Sequence, residues 1–256
     1  MSDTREESFS KFLTELEELM LPTLVSKIAD RLWPLLLEKL QADKPWKKNL
    51  FVPDPEVSEL TPDSDFMSFS SCAARDFFHP EFKRIREVMK VPSIFHRKYW
   101  EWVFIFHHIS RGLDLSGKRG LGFGVGSHEP LTAAFAKHGA YVTATDAPES
   151  IGVAAGWASG GEFASSVDSL SCEGIMERSE FGRQVSFREV DMNDIPSDLT
   201  GYDFCWSSCC LEHLGDLDKG LAFIINSVER TLKVGGIACH TTEFNLSSNE
   251  QTLETG

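Results

Sequence analysis

Residues 120–146, GLGFGVGSHEPLTAAFAKHGAYVTATD, place a glycine at every second position from Gly120 to Gly126 and close on an acid, Asp146. Glycine at 122, 124 and 126 tolerates positive φ and leaves no Cβ in the way, so a ligand can lie directly on the backbone. An acid twenty residues beyond Gly126 is placed to accept hydrogen bonds from ribose hydroxyls. Asp191 followed by Met192 offers an acceptor for an adenine amino proton beside an apolar side chain that packs on the ring. Further on, Glu212 and His213, then His240 and Glu243, are groups of general-base type. Cys209 and His213 stand i, i+4 with Cys210 between them. A metal could use that spacing, but no fourth ligand accompanies it and no metal is expected.

Spacing narrows the ligand. The dinucleotide fingerprint G-x-G-x-x-G fails in every register, ending on Val125 from Gly120, on Ser127 from Gly122 and on Glu129 from Gly124. The phosphate loop G-x-x-x-x-G-K-[ST] fails because no lysine follows the glycines. A glycine loop without a lysine or arginine of its own suits a ligand whose contacting part is not polyphosphate. The plainer alternative is a tight turn in any α/β protein.

The elements that must hold these residues follow from periodicity. Leu121 to Val125 reads as a strand giving way to a bare turn. Ser127 is expected to cap a helix with Glu129 and Pro130 in its first turn and a buried stripe of Leu131, Ala134, Phe135 and His138, ended by Gly139. Further β-type runs lie at Tyr141 to Thr145, Val185 to Val190 and Tyr202 to Ser207. A helix is expected from Leu217 to Leu232, and a Gly235–Gly236 turn before a fifth strand. Residues 150–174, rich in Gly, Ala and Ser, read as a helix with loops. Five strands alternating with helices make a parallel α/β pattern. Ahead of it, residues 1–42 carry two amphipathic stripes, residues 43–66 read as a linker with four prolines, and helices are expected at 81–90 and 93–112. The expected division is a helical N-terminal extension over 1–114 and a nucleotide-type domain over 115–256.

The 256 residues are 41% hydrophobic and 11% aromatic, enough to bury a sizeable core. The net charge of −14 is unevenly spread, with 17 Lys+Arg against 19 Asp+Glu up to residue 118, and 8 against 20 beyond it. So acidic a second half repels a phosphate backbone and argues against nucleic acid. The six cysteines form no C-x-x-C pair and no small-scaffold spacing, and the N-terminus has no signal-peptide pattern, so a cytoplasmic protein is expected. The greasiest stretch, Trp100 to Ile109, is too short to span a bilayer.

Taken together these motifs resemble class I S-adenosylmethionine-dependent methyltransferases over roughly residues 115–245. In that family a glycine loop after the first strand cradles the cofactor's methionine part, the acid after the second strand binds ribose, and the acid after the third contacts adenine. The fourth strand ends facing the methyl, and a Gly-Gly turn precedes the fifth. The resemblance implies a Rossmann-like, doubly wound, mostly parallel sheet, with cofactor contacts at Gly122, Phe123, Gly124, Gly126, Glu129, Asp146, Ala147, Asp191, Met192 and Ser207. Gly120 stands where the family commonly has an acid near the cofactor's amino group, and Glu129 is the substitute at hand. The family's sheet also continues past the fifth strand, whereas twelve residues follow Phe244, so a shortened sheet is expected.

The stretches SSCCLEHLGDLDKGL, HTTEFNLSSN and HRKYWEW further resemble bacterial methyltransferases of surface-glycan and secondary-metabolite clusters. The resemblance implies methylation of a small molecule or sugar, on oxygen. His213, just past the fourth strand, is then the economical base, with Glu212, Glu243 and His240 as alternatives. In HRKYWEW, His96, Tyr99, Trp100 and Val103 share a helix face, either as plain packing or as a lid that meets the acceptor through Arg97 and Lys98. Two other readings stay open: a catalytically silent module acting through its helical N-terminus, and a nicotinamide-dependent reductase, which the failed fingerprint and the lack of a Tyr-x-x-x-Lys pair disfavour. The oligomeric state is not encoded in these features.

Overall fold

The computed structural model describes residues 50–51, 66–154 and 163–243. The stripes expected in residues 1–42, nearly all of the linker and everything after Glu243 lie outside the described residues. The chain divides into two compact units, Met1–Leu50 and Phe51–Gly256, and the second holds the elements below.

Its centre is a five-stranded sheet of β1 (Arg119–Phe123), β2 (Tyr141–Asp146), β3 (Val185–Glu189), β4 (Tyr202–Ser208) and β5 (Leu232–Thr241). The order is β3-β2-β1-β4-β5 and every pairing is parallel. The chain builds outward from β1 in one direction, then crosses back to start again at β4. That reversal between β1 and β4 is a topological switch point, where a Rossmann-like sheet opens a crevice at its carboxyl ends.

β1 shows why both faces of the sheet are covered. Leu121 and Phe123, fully buried, point to one side, where Phe123 meets Phe223 edge-on at 5.1 Å. Phe223 belongs to α6 (Leu217–Asn226). On the other side, a Cβ at Gly120 would sit 2.4 Å from the Phe204 ring and one at Gly122 would sit 2.5 Å from the Trp206 ring. These two glycines make room for aromatic rings in the core. Phe135 of α3 (Leu131–Lys137) packs on both rings at 4.8 and 4.9 Å, and Phe106 of α2 (Arg97–Gly112) stacks on Phe135 at 5.2 Å.

The helices at 80–112 therefore belong to the sheet's core. Ile85 and Met89 of α1 (Pro80–Met89) and Trp100, Val103, Ile105, Phe106 and Ile109 of α2 are buried in one cluster with Ala133, Phe135 and Trp206. The boundary expected at 114/115 is not a boundary of packing. The remaining helices are α4 (Glu149–Ala154) and α5 (Arg178–Gln184), the latter burying Phe181 in the same cluster. No helix among the described residues is long and apolar enough to cross a membrane.

Three local expectations are corrected. α3 starts at Leu131, three residues later than a Ser127 cap requires, with Pro130 as its N-cap and no side-chain cap. Proline disfavours the helical region for the residue before it, so the helix cannot extend back through Glu129; Ser127 Oγ meets His128 Nδ1 at 2.9 Å instead. The helix expected to reach Leu232 stops at Asn226 and is followed by one π-type turn, Ser227–Thr231. Gly235 and Gly236 lie inside β5 and not before it: the register jumps from Tyr202↔Leu232 to Phe204↔Ile237, leaving Lys233 to Gly236 opposite Asp203 alone. Gly235 takes φ +83°, and a Cβ on Gly236 would come within 3.1 Å of the Asp203 carbonyl oxygen, so this bulge needs both glycines.

Candidate functional site

The carboxyl ends of the strands surround a cavity of about 650 Å³. Its floor is the turn after β1. Gly124 and Gly126 both take φ +59°, and a Cβ at Gly124 would meet Cys210 Sγ at 2.7 Å, so the turn is bare by necessity. It is tied to β2, with Val125 N–H donating to the Thr145 carbonyl at 3.1 Å and Thr145 Oγ1 donating to the Gly122 carbonyl at 2.9 Å.

Asp146, at the end of β2, projects a buried carboxylate into this floor. The backbone N–H groups of Ala147 and Ala164 donate to its two oxygens at 2.8 and 2.9 Å. Among the described residues no cation pairs with it, and burial holds its carboxyl above the usual carboxylate range. The Gly126 N–H is a third backbone donor to this carboxylate; two carboxylate oxygens offer about four lone-pair sites, so acceptor capacity is left for a hydroxyl donor. After β3, Asp191 accepts from Asn193 N–H at 2.8 Å and the largely buried Met192 lies beside it on the wall.

Glu129 reaches the cavity from the residue before Pro130 and is 6% exposed. Its Oε1 accepts from Trp206 Nε1 at 2.7 Å. Burial pushes its carboxyl up to about 8, against a smaller opposite pull from that hydrogen bond.

The far wall is the first turn of α2. His96 caps the helix by accepting Lys98 N–H at 3.2 Å, and it lines the cavity with Arg97, Lys98 and Trp102. Buried Glu101 ties that helix to the sheet: it accepts from Ser208 Oγ and Thr241 Oγ1, each at 3.3 Å, and pairs with Arg97 at 3.1 Å and Lys98 at 3.3 Å. Arg97 also pairs with Glu243 and donates to Cys209 Sγ at 2.9 Å. Cys209 takes φ +60° where β4 ends, a conformation that residues with a Cβ avoid. Burial, followed by its hydrogen bond to Glu212 at 2.6 Å, pushes the Cys209 thiol up to about 12, so it acts as a donor.

No protein-family model matches the chain, and no curated protein matches it in sequence. Solved structures do. The glycopeptide N-methyltransferase MtfA complexed with sinefungin is 19% identical, with 51% of this chain matched to 48% of that one at a TM-score of 0.35. An S-adenosylmethionine-dependent methyltransferase from Mesorhizobium loti is 20% identical over 54% of this chain and 53% of its own, with a TM-score of 0.34. The CcbJ methyltransferase from Streptomyces caelestis is 17% identical over 47% and 41%, also with a TM-score of 0.34. The chain thus spans about half the length of these structures or less.

Of the residues singled out from the sequence, the fold brings Gly124, Gly126, Glu129, Asp146, Ala147, Asp191, Met192, His213 and Glu243 to one cavity. Others stand behind its wall. Gly122 lies under Trp206, and the ring of Phe123 points into the core. Ser207 Oγ contacts His240 Nδ1 at 2.9 Å, and His240 Nε2 meets Ser227 Oγ at 3.0 Å. Burial holds His240 down to about 4, a neutral packing residue. Glu212 is engaged by Cys209 and by Thr242 Oγ1 at 3.0 Å.

The Cys209–Cys210–His213 grouping does not form. Cys210 Sγ faces the Gly124 carbonyl at 3.4 Å, whereas Cys209 gathers with Glu212 and Glu243 within 4.8 Å, capped by Arg97. Sequence reasoning missed Trp102, which reads as one more aromatic of an apolar helix, and Ser208, which lines the cavity where Ser207 was expected. The alternation of β4 is the signal that separates the two serines: side chains one residue apart face opposite ways.

Proposed function

We propose that this chain is an S-adenosylmethionine-dependent methyltransferase acting on the hydroxyl of a small molecule or sugar. The observation that carries the reading is convergence. Four separate segments, the bare turn at Gly124 and Gly126, Asp146, Asp191 with Met192, and the end of β4, meet at one cavity on the switch point. Its residues fit the cofactor. Asp146 keeps acceptor capacity for a ribose, Asp191 and Met192 offer an adenine edge an acceptor and an apolar surface, and a turn that admits no Cβ suits close approach by the methionine part. When bound, S-adenosylmethionine supplies a methyl group on a sulfonium, an already activated donor.

What remains for the protein is alignment of the acceptor and removal of its proton. Ser208 and Cys209 end β4 beneath the α2 turn, and Glu101 fixes the two together. His213, exposed on the same wall, is the base assigned to the acceptor's proton, with Glu243 beside Arg97 as the alternative. The test is calorimetric titration with S-adenosylhomocysteine, with NADH as control, on the parent chain and on Asp146→Ala. Micromolar binding that Asp146→Ala weakens by about 1–3 kcal/mol, the cost of unpaired hydrogen-bonding groups, is the expected result. No binding by the folded chain overturns the proposal. Unchanged turnover in His213→Ala removes that residue from the chemistry.

A further inference from the structure

Donors outnumber acceptors on the face that α2 turns to the cavity. An ammonium has three N–H donors, and among the described residues Lys98 uses two, on Glu101 Oε2 and the Ser208 carbonyl, each at 3.3 Å. Its one carboxylate partner is shared, because Glu101 also answers Arg97, Ser208 Oγ and Thr241 Oγ1. One turn further along, Trp102 lines the same cavity at 9% exposure, and its Nε1–H has no hydrogen-bond partner among the described residues. A buried donor left unanswered costs about 1–3 kcal/mol, so an orphan N–H on a cavity-lining ring is a place for a ligand atom. Residues four apart share a helix face, which sets Lys98 and Trp102 on one stripe. His96 adds a third donor at the head of the helix: its Nδ1 accepts Lys98 N–H, so the proton of the neutral ring sits on Nε2. Glu243, on the same wall, is paired with Arg97.

Building on the methyltransferase reading above, we infer that the first turns of α2 hold a carboxylate of the methyl acceptor, with Lys98 Nζ and Trp102 Nε1 donating to its two oxygens, so that the acceptor is a small hydroxy acid. One full positive charge with neutral donors beside it matches a singly charged group. A phosphate dianion would bring a second negative charge toward Glu101 and Glu243. A neutral sugar would leave the third Lys98 N–H to a weaker acceptor than a carboxylate oxygen, because hydrogen bonds between ionised partners are about twice as strong as neutral ones. The placement also suits the reaction. Lys98 Nζ touches the end of β4 at Ser208, where the reading above puts methyl transfer, so an acceptor anchored by its carboxylate stays next to the reacting centre. Arg97, tied to Glu101, Glu243 and Cys209, braces this wall from the outer side.

The experiment titrates the full chain, saturated with S-adenosylhomocysteine, with three probes: benzoate, its neutral isostere benzamide, and phenyl phosphate. NMR follows the indole N–H resonances of the six tryptophans, and Trp102→Phe marks the one that belongs to Trp102. The expected result is a downfield shift of the Trp102 resonance with benzoate, and benzoate affinity roughly tenfold to hundredfold above that of benzamide, the worth of one hydrogen bond to a charged group. Lys98→Gln is expected to erase that preference, and Trp102→Phe to weaken benzoate. Benzoate bound no better than benzamide, a preference that survives Lys98→Gln, or a Trp102 resonance that stays in place while benzoate binds overturns the inference and leaves the cofactor reading standing. Phenyl phosphate bound more tightly than benzoate overturns the carboxylate assignment. No binding of S-adenosylhomocysteine overturns the cofactor reading itself, and this inference with it.

Discussion

Gly122 and Gly124 are two residues apart, of one type and in one motif, yet they serve different ends. Gly122 faces the core, and a methyl there would sit 2.5 Å from the Trp206 ring. Gly122→Ala is therefore expected to cost about 1–3 kcal/mol as overpacking, read as a lower denaturant midpoint in urea unfolding. Gly124 faces the cavity at positive φ, with Cys210 Sγ in the way of any Cβ. Gly124→Ala is expected to lose S-adenosylhomocysteine affinity as well as stability. Motif spacing identifies both glycines but cannot separate them, because Gly122 is still inside β1 under the Trp206 ring whereas Gly124 is already in the turn beyond the strand, facing Cys210. The same limit applies to Phe123 and Ser207, which satisfy the motif by position while their side chains point away from the site. Asp146 was legible because a carboxylate that ends a buried strand can only face the crevice.

At the scale of elements, α2 does more than its sequence announces. Its apolar run reads as a buried helix, and it is one, but its first turn is also the far wall of the cavity. The extended Ile94–Phe95 segment and the His96 cap put the helix start at Arg97 and not Ser93, and His96, Arg97, Lys98 and Trp102 line the cavity beside the β4 end. Glu101 fixes this arrangement, because its carboxylate answers Arg97, Lys98, Ser208 and Thr241 together. Glu101→Ala leaves those groups unanswered. Since Arg97 and Lys98 are partly exposed, the expected loss is roughly 1–3 kcal/mol, below that of a fully buried pair, with a lowered melting temperature as the measurement. The alternation of strands and helices was readable from periodicity alone. The β5 bulge was not, since it answers to the register of β4.

For the whole molecule, buried and half-buried titratable groups set opposing limits on stability. His107 and His240 are held down to about 4 by burial, against about 6.5 when unfolded. Between those values the unfolded chain binds more protons, so their contribution is complete above pH 6.5 and is lost as pH falls toward 4. Glu129 acts in the other direction. With its carboxyl near 8 in the folded chain and near 4.3 unfolded, it lowers stability as pH rises through that window. Each group contributes a slope of up to about 1.4 kcal/mol per pH unit. Unfolding free energy is thus expected to peak near pH 6–7, and Glu129→Gln to remove its alkaline decline; urea titrations across pH 4.5–8.5 check both.

The anchors of α2 also fix an order of events during synthesis. Arg97 and Glu101 find Cys209, Ser208 and Thr241 across sequence separations of 112, 107 and 140 residues. On the ribosome, which releases roughly 5–20 residues per second, the helix emerges many seconds before any of those partners. Until then its future buried acid faces water, while its apolar side has partners on α1 and α3 to pack against. The local strand-turn-helix unit around the glycine turn has no such delay. A nascent chain that has not yet delivered Thr241 carries every residue of the glycine turn and of the α2 wall, but lacks one of the hydroxyls that tie Glu101, and with it that wall, to the sheet.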